Sequence, residues 1–247
     1  MSRASIVGML IAAEIVIVGI ALYAIRGSAN FANFHQVAFA AKPIAPIDAG
    51  SAPRITVDDP NSRIVVATSS DGQVHVSDLT SVSGSIFGDR WHVAQLQVQR
   101  TADGVSVSRP GSDDLHLHFI FGSFERRVEV DVPAASHVEI ARCAGADVAG
   151  IEGGVAVRSQ DGHVTLTDLR GTVDGRSDDG SVSATRVHGD SLALQSGDGH
   201  LSLQNVAVGS LNAQTSDGSI EARDVTVSGT SPHAVLHSDD GSIRVDG

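Results

Sequence analysis

Five aspartates recur at near-constant spacing in the C-terminal half, each followed by glycine: Asp161-Gly162, Asp179-Gly180, Asp198-Gly199, Asp217-Gly218 and Asp240-Gly241. A column of carboxylates offers the hard oxygen ligands that Ca²⁺ takes. The calcium-binding β-roll, however, repeats every nine residues with a Gly-Gly-x-Gly-x-Asp loop, which this chain lacks. The ten residues therefore read as structural turn positions. Asp accepts a hydrogen bond from its own downstream backbone, and Gly supplies a positive φ at little cost.

Eleven histidines invite a metal or catalytic role. His116-x-His118 share a strand face, but two ligands without a third are a weak site and read as an exposed face. His163 and His200 lie two repeats apart with Ser181 between them. Ser, His and Asp are abundant, yet no Gly-x-Ser-x-Gly elbow exists. The clustered acids of pectinase-like coils are missing too. The expectation is a protein that is not an enzyme and has no catalytic, metal or cofactor-binding residues. Cys143, the single cysteine, forbids an intrachain disulfide and reads as a buried thiol.

The elements that carry these residues follow from the repeat. The glycines advance by 18, 19, 19 and 23 residues, a period suited to stacked β coils. After each Asp-Gly, aliphatic residues alternate with polar ones: Val164, Val182, Leu201 and Ile220 form one inward column, and Leu166, Ala184, Leu203 and Ala222 the next. A second strand follows Gly171, Gly189, Gly209 and Gly229, carrying Val173 and Gly175, Leu192 and Leu194, Leu211 and Ala213, then Val235 and His237. Residues Arg142 to Ser159 fit one earlier coil, with Cys143-Ala144 in place of Asp-Gly and with Ile151, Val155 and Val157 facing inward. The long last step reads as a bulging corner at Thr230, Ser231 and Pro232. An Asp-Gly hairpin meander is the competing arrangement. It does not require inward residues to match at a fixed spacing, whereas stacking does.

The fold class is therefore all-β, a β-solenoid of parallel coils of about 19 residues, preceded by a less regular β-rich cap. Four regions are expected: a transmembrane signal anchor at 1–26, a flexible linker at 27–53, the cap at 54–141 and the solenoid at 142–247. In the cap, Ser70 to Leu79 repeats the later coil sequence, so the same device is expected to begin there. The only tryptophan, Trp91, together with Phe119, Phe121 and Phe124, lies in this cap. Sugars stack on rings and the coils have none, which makes these four the candidate binding residues.

Val130-Asp-Val-Pro133, then Val138-Glu-Ile140, then reiterated Asp-Gly-x-aliphatic-x-aliphatic coils separated by Gly make a longer pattern. Over residues 54 to 247 it resembles the bacterial "putative adhesin" family, a domain-of-unknown-function family of β-strand repeats. The resemblance implies a β-repeat fold, often behind an N-terminal membrane segment, and supplies no catalytic residue.

Residues Ala4 to Ile25 are apolar except Ser5 and Glu14, enough to span a hydrocarbon layer of about 30 Å. The run exceeds the usual signal-peptide core, so it reads as an uncleaved anchor. Glu14, inside it, is either a tolerated protonated acid or a contact with another membrane helix. The placement expected is single-pass in the bacterial inner membrane, with the acidic β domain periplasmic. Beyond residue 53 there are 14 Arg and no Lys against 27 Asp and Glu, which excludes a nucleic-acid-binding stripe. Two functions remain open. One is a membrane-anchored extracytoplasmic binding or adhesion module for an unknown protein or glycan. The other is a self-assembling scaffold, associating through the C-terminal edge or the transmembrane helix.

Overall fold

The computed structural model describes residues 42–87, 91–92, 94–110, 114–115 and 118–247; at 42, 80–87, 91–92, 114–115 and 118–124 the backbone alone is described. The expected membrane segment, Glu14 and most of the linker lie outside these residues. No helix among the described residues is long and apolar enough to cross a membrane.

The strands begin with β1 (Lys42–Pro43), β2 (Arg54–Asp58), β3 (Arg63–Thr68), β4 (His75–Phe87), β5 (Trp91–His92) and β6 (Gln97–Arg100). They continue with β7 (Gly104–Ser108), β8 (Asp114–Leu115), β9 (His118–Val132), β10 (His137–Cys143), β11 (Gly145–Ala149) and β12 (Val155–Ser159). The last six are β13 (Val164–Ser177), β14 (Val182–Ser196), β15 (Leu201–Thr215), β16 (Ile220–Val227), β17 (His233–Ser238) and β18 (Ile243–Asp246).

These strands wind into a β-solenoid of about six turns. On one face β7, β2, β10, β12 and the second halves of β13, β14 and β15 pair in parallel, ending at β17. On the other, the end of β9, then β3, β11 and the first halves of β13, β14 and β15 do the same, followed by β16 and β18. The expected columns are in register: Val164 pairs with Val182, Val182 with Leu201 and Leu201 with Ile220. All four side chains are buried. The parallel ladder decides against a meander.

Side-chain volume is distributed along the axis. Rungs holding Leu194 and Leu203 alternate with rungs holding Gly175 and Ala184, or Ala213 and Ala222. At Gly175 an added Cβ would sit 2.8 Å from Leu166 Cδ1 and 3.3 Å from Leu194 Cδ2. Leucines from the neighbouring rungs thus fill the space that the small residues leave, which is how a core without aromatic rings reaches close packing.

Two sequence expectations need correction, and a third feature is one the sequence did not suggest. The final rung is shifted by one residue: Leu211 pairs with Ala234 and Ala213 with Leu236, so these, and not Val235 and His237, continue the inward columns. The extra residues around Pro232 hide that register when it is counted forward from Gly229. Second, the Ser70 to Leu79 copy does not start a parallel coil. Its strand β4 runs antiparallel to β9 and closes the first rung. Third, coil order differs from chain order. The rung of β2 and β3 lies between the rung of β7 and β9 and the rung of β10 and β11. Three ion pairs across that step, Arg54–Glu139, Arg63–Asp147 and Arg142–Asp58, join residues more than 80 apart in sequence. On the opposite face β6, antiparallel to β7, covers the other edge. Covering both edges blocks pairing at this end.

Candidate functional site

The Asp-Gly corner is built by a residue that the motif conceals. Three positions before each glycine stands Ser159, Ser177, Ser196, Thr215 or Ser238, the first four of them nearly fully buried. The Ser196 hydroxyl accepts from the Gly199 N–H at 2.9 Å and donates to the Gly180 carbonyl of the preceding rung at 2.9 Å. Ser177, Thr215 and Ser238 repeat the pair of bonds, to Gly162, Gly199 and Gly218. Each hydroxyl thereby satisfies a donor on its own rung and an acceptor on the preceding one. Ser196→Ala leaves both groups buried and unpaired, and is expected to lower stability by about 2 kcal/mol in urea unfolding.

The glycines of the motif are not in the left-handed region. The requirement is close approach: a Cβ at Gly180, Gly199 or Gly218 would lie 2.2, 2.3 or 1.9 Å from the carbonyl oxygen of the glycine one rung below. Positive φ falls elsewhere, on Asp168, Arg186, Asn205 and Asp224, where each long strand bends. Asp and Asn tolerate that conformation. Arg186 does so while paired to Asp168, whose hydrogen bond holds the arginine above its usual range and the carboxyl below its own. Asp161, Asp179, Asp198, Asp217 and Asp240 point their carboxylates into solvent. Among the described residues, no group of three or more His, Cys, Asp or Glu is placed to hold a metal.

Beside the hydroxyl ladder runs a groove of about 680 Å³. One wall is the column of Arg142, Arg158, Arg176 and Gln195. The other is the corner, with Gln160, Asp178, Gly197 and Ser216. Arg158, Arg176 and Gln195 are in register on adjacent strands. Arg142 reaches the groove because β10 carries a register shift between Ile140 and Cys143. Hydrogen bonds from Arg142 to Asp58 and from Arg176 to Asp174 hold both guanidiniums above their ordinary range. Cys143 ends the ladder, in register with Ser159; burial pushes its thiol up and leaves it unreactive.

Residues 54–247 match the family described as Toastrack DUF4097. The chain belongs to the Toastrack family. Solved structures similar to this Toastrack chain include a "putative adhesin" from Bacteroides fragilis, 14% identical with a TM-score of 0.45, covering 83% of this chain and 96% of that one. Another is a "putative cell adhesion protein" from Clostridium sporogenes, 8% identical with a TM-score of 0.43, covering 84% and 98%. A third is a "putative adhesin" from Parabacteroides merdae, 14% identical with a TM-score of 0.40, covering 83% and 95%. No curated protein matches the chain.

The aromatic candidates sit apart from the groove in chain and sheet. Phe119, Phe121 and Phe124 lie in the part of β9 whose backbone pairs only with β4, opposite Ile86, Ser85 and Val82. Trp91 is on β5, which pairs with β8. Their side chains lie outside the described residues, as does His116. Sequence reasoning missed both the hydroxyl ladder and the arginine column. The first was visible as Ser or Thr two residues before every aspartate, and the second as Arg or Gln immediately before that hydroxyl.

Proposed function

We propose that this Toastrack chain is a non-enzymatic, extracytoplasmic binding or adhesion module held at the bacterial inner membrane by its apolar N-terminal segment. The observation that carries the reading is the groove beside the hydroxyl ladder. It is a polar, solvent-facing cleft on a rigid stack of rungs, and it contains a guanidinium, that of Arg158, with no side-chain partner among the described residues. Rigid presentation lowers the ordering cost of capture. Of the linker at 27–53, residues 42–47 are docked along β4. The part before β1 and the anchor at 1–26 give such a domain reach from the bilayer, and the 54–141 cap brings Trp91, Phe119, Phe121 and Phe124 as a second contact region for glycan rings.

Retention of the full chain on isolated bacterial envelopes tests this. Retention is expected, with loss on Arg158→Ala or on joint replacement of Phe119, Phe121 and Phe124 by Ala while the circular dichroism is unchanged. Absence of retention overturns the reading.

A self-associating scaffold is the second reading, favoured by Ile243 and Val245, 45% and 61% exposed on the last rung. β17 and β18 each pair on one side only among the described residues. Because antiparallel strands close the opposite end, association through this edge joins like to like, giving an end-to-end pair in place of a filament.

A further inference from the structure

Arg142, Arg158 and Arg176 stand together along one wall of the groove, and the first and third are held by acids. Arg158 forms no side-chain hydrogen bond or ion pair among the described residues. Of the carboxylates around it, Asp58 is engaged by Arg142, Glu139 by Arg54 and Asp174 by Arg176, while Asp178, on the facing corner, is exposed and makes no ion pair with Arg158. Stacking Arg158 directly on Arg176 at the ~4.8 Å strand spacing is unfavourable unless a negative group joins them. In a chain of net charge -12, such a column is a local exception.

The rest of the lining narrows the ligand. Gln160, Gln195 and Ser216 offer amide and hydroxyl groups suited to a polyol, and Ala141 is the one apolar side chain in the lining. No ring among the described residues lines the groove, so neutral sugars have nothing there to stack on. The wall strands β12, β13 and β14 are paired on both edges, so an extended peptide finds no free backbone to join. What fits is a ligand that is hydroxyl-rich and anionic together.

We infer that the groove binds an acidic polysaccharide laid across the rungs, with a sugar carboxylate on Arg158 and neighbouring hydroxyls on Gln160 and Gln195. This rests on the reading of the chain as a binding module. The planar guanidinium matches a carboxylate with two parallel hydrogen bonds, a geometry lysine cannot copy.

The test is binding of the full chain, in nonionic detergent, to immobilised alginate, with dextran and poly-glutamate as comparisons. Alginate is expected to bind in preference to both, with affinity falling as salt is raised. Arg158→Ala is expected to weaken binding about tenfold or more and Arg158→Lys to retain part of it. Arg63→Ala, in β3 on the other face of the solenoid, leaves binding unchanged. Equal binding of dextran, tighter binding of poly-glutamate, indifference to Arg158→Ala, or no alginate binding each overturns the inference. Envelope retention that depends on Arg158 without alginate binding removes the ligand class and keeps the binding module; loss of envelope retention removes both.

Discussion

Gly199→Ala in the full chain is expected to destabilise the solenoid by about 3 kcal/mol or more, an effect read from the urea midpoint. The new Cβ would lie 2.3 Å from the Gly180 carbonyl oxygen, 2.4 Å from its carbonyl carbon and 2.6 Å from Ser196 Oγ. None of these is the free end of a flexible side chain, so relief requires two rungs to separate. Separation breaks the Ser196 bridge and strains the neighbouring ladder bonds. The reason for the glycine can be tested against the alternative of backbone conformation. Were positive φ the requirement, Gly199→Asn would be far milder than Gly199→Ala, since Asn tolerates that region. Close approach predicts that Asn is at least as damaging. The adjacent Asp198→Ala, on an exposed side chain, is expected to stay within about 0.5 kcal/mol of the parent. A mild Asn variant, or a large effect at Asp198, would show that the turn chemistry of the pair and not the stacking of rungs is the constraint.

What could be read from the sequence divides along a physical line. The inward columns were legible because strand alternation and the repeat period act together: Val164, Val182, Leu201 and Ile220 are fixed by both. Which strand neighbours which is not a local property, and so β3 gave no sign of lying between β9 and β11, nor β2 of lying between β7 and β10. The copy at Ser70 to Leu79 makes the same point. Its Asp71 accepts from the Gln73 N–H and its Gly72 has a φ of 73°, the turn chemistry expected of the motif, yet the strand that follows is antiparallel. There the Ser69 hydroxyl, which stands three residues before Gly72 as Ser196 does before Gly199, is buried with no hydrogen-bond partner among the described residues. The register of the last rung was recoverable by counting back from Ser238 to Leu236 and Ala234. The hydroxyl is a better anchor than the glycines because it is bonded to both rungs. The groove was the least legible feature. Arg142, Arg158 and Arg176 are separated by unequal steps; the last two are in register, and Arg142 joins them only through the β10 register shift.

Arg109→Ala is expected to cost about 3 to 5 kcal/mol and to loosen the capped end before the coils. The Arg109 side chain is 2% exposed and donates from Nε to Asp59 at 2.8 Å, from Nη2 to Asp78 at 2.9 Å and from Nη1 to the Ala94 carbonyl at 2.6 Å. It therefore ties three separate segments: the corner between β2 and β3, the capping strand β4, and the stretch before β6. Burial works against its charge, but the bonds to Asp78 and Asp59 outweigh that and hold it above the ordinary arginine range. Asp59, equally buried, has one oxygen bonded by Arg109 and the Ser62 hydroxyl, while Oδ1 has no hydrogen-bond partner. Removing the arginine leaves that carboxylate with Ser62 alone in a buried site. Removing both charges together avoids the stranded ion, so Arg109→Met with Asp59→Asn is expected to recover a substantial part of the loss. The capped end is antiparallel and bonded to a single rung, whereas each inner coil is held from both sides. Limited proteolysis of Arg109→Ala should accordingly cut first between residues 69 and 104, with the coils after residue 142 still protected. A loss below about 1 kcal/mol, or cleavage that begins in the coils, would mean that the cap is held by its strand pairing and not by this buried arginine.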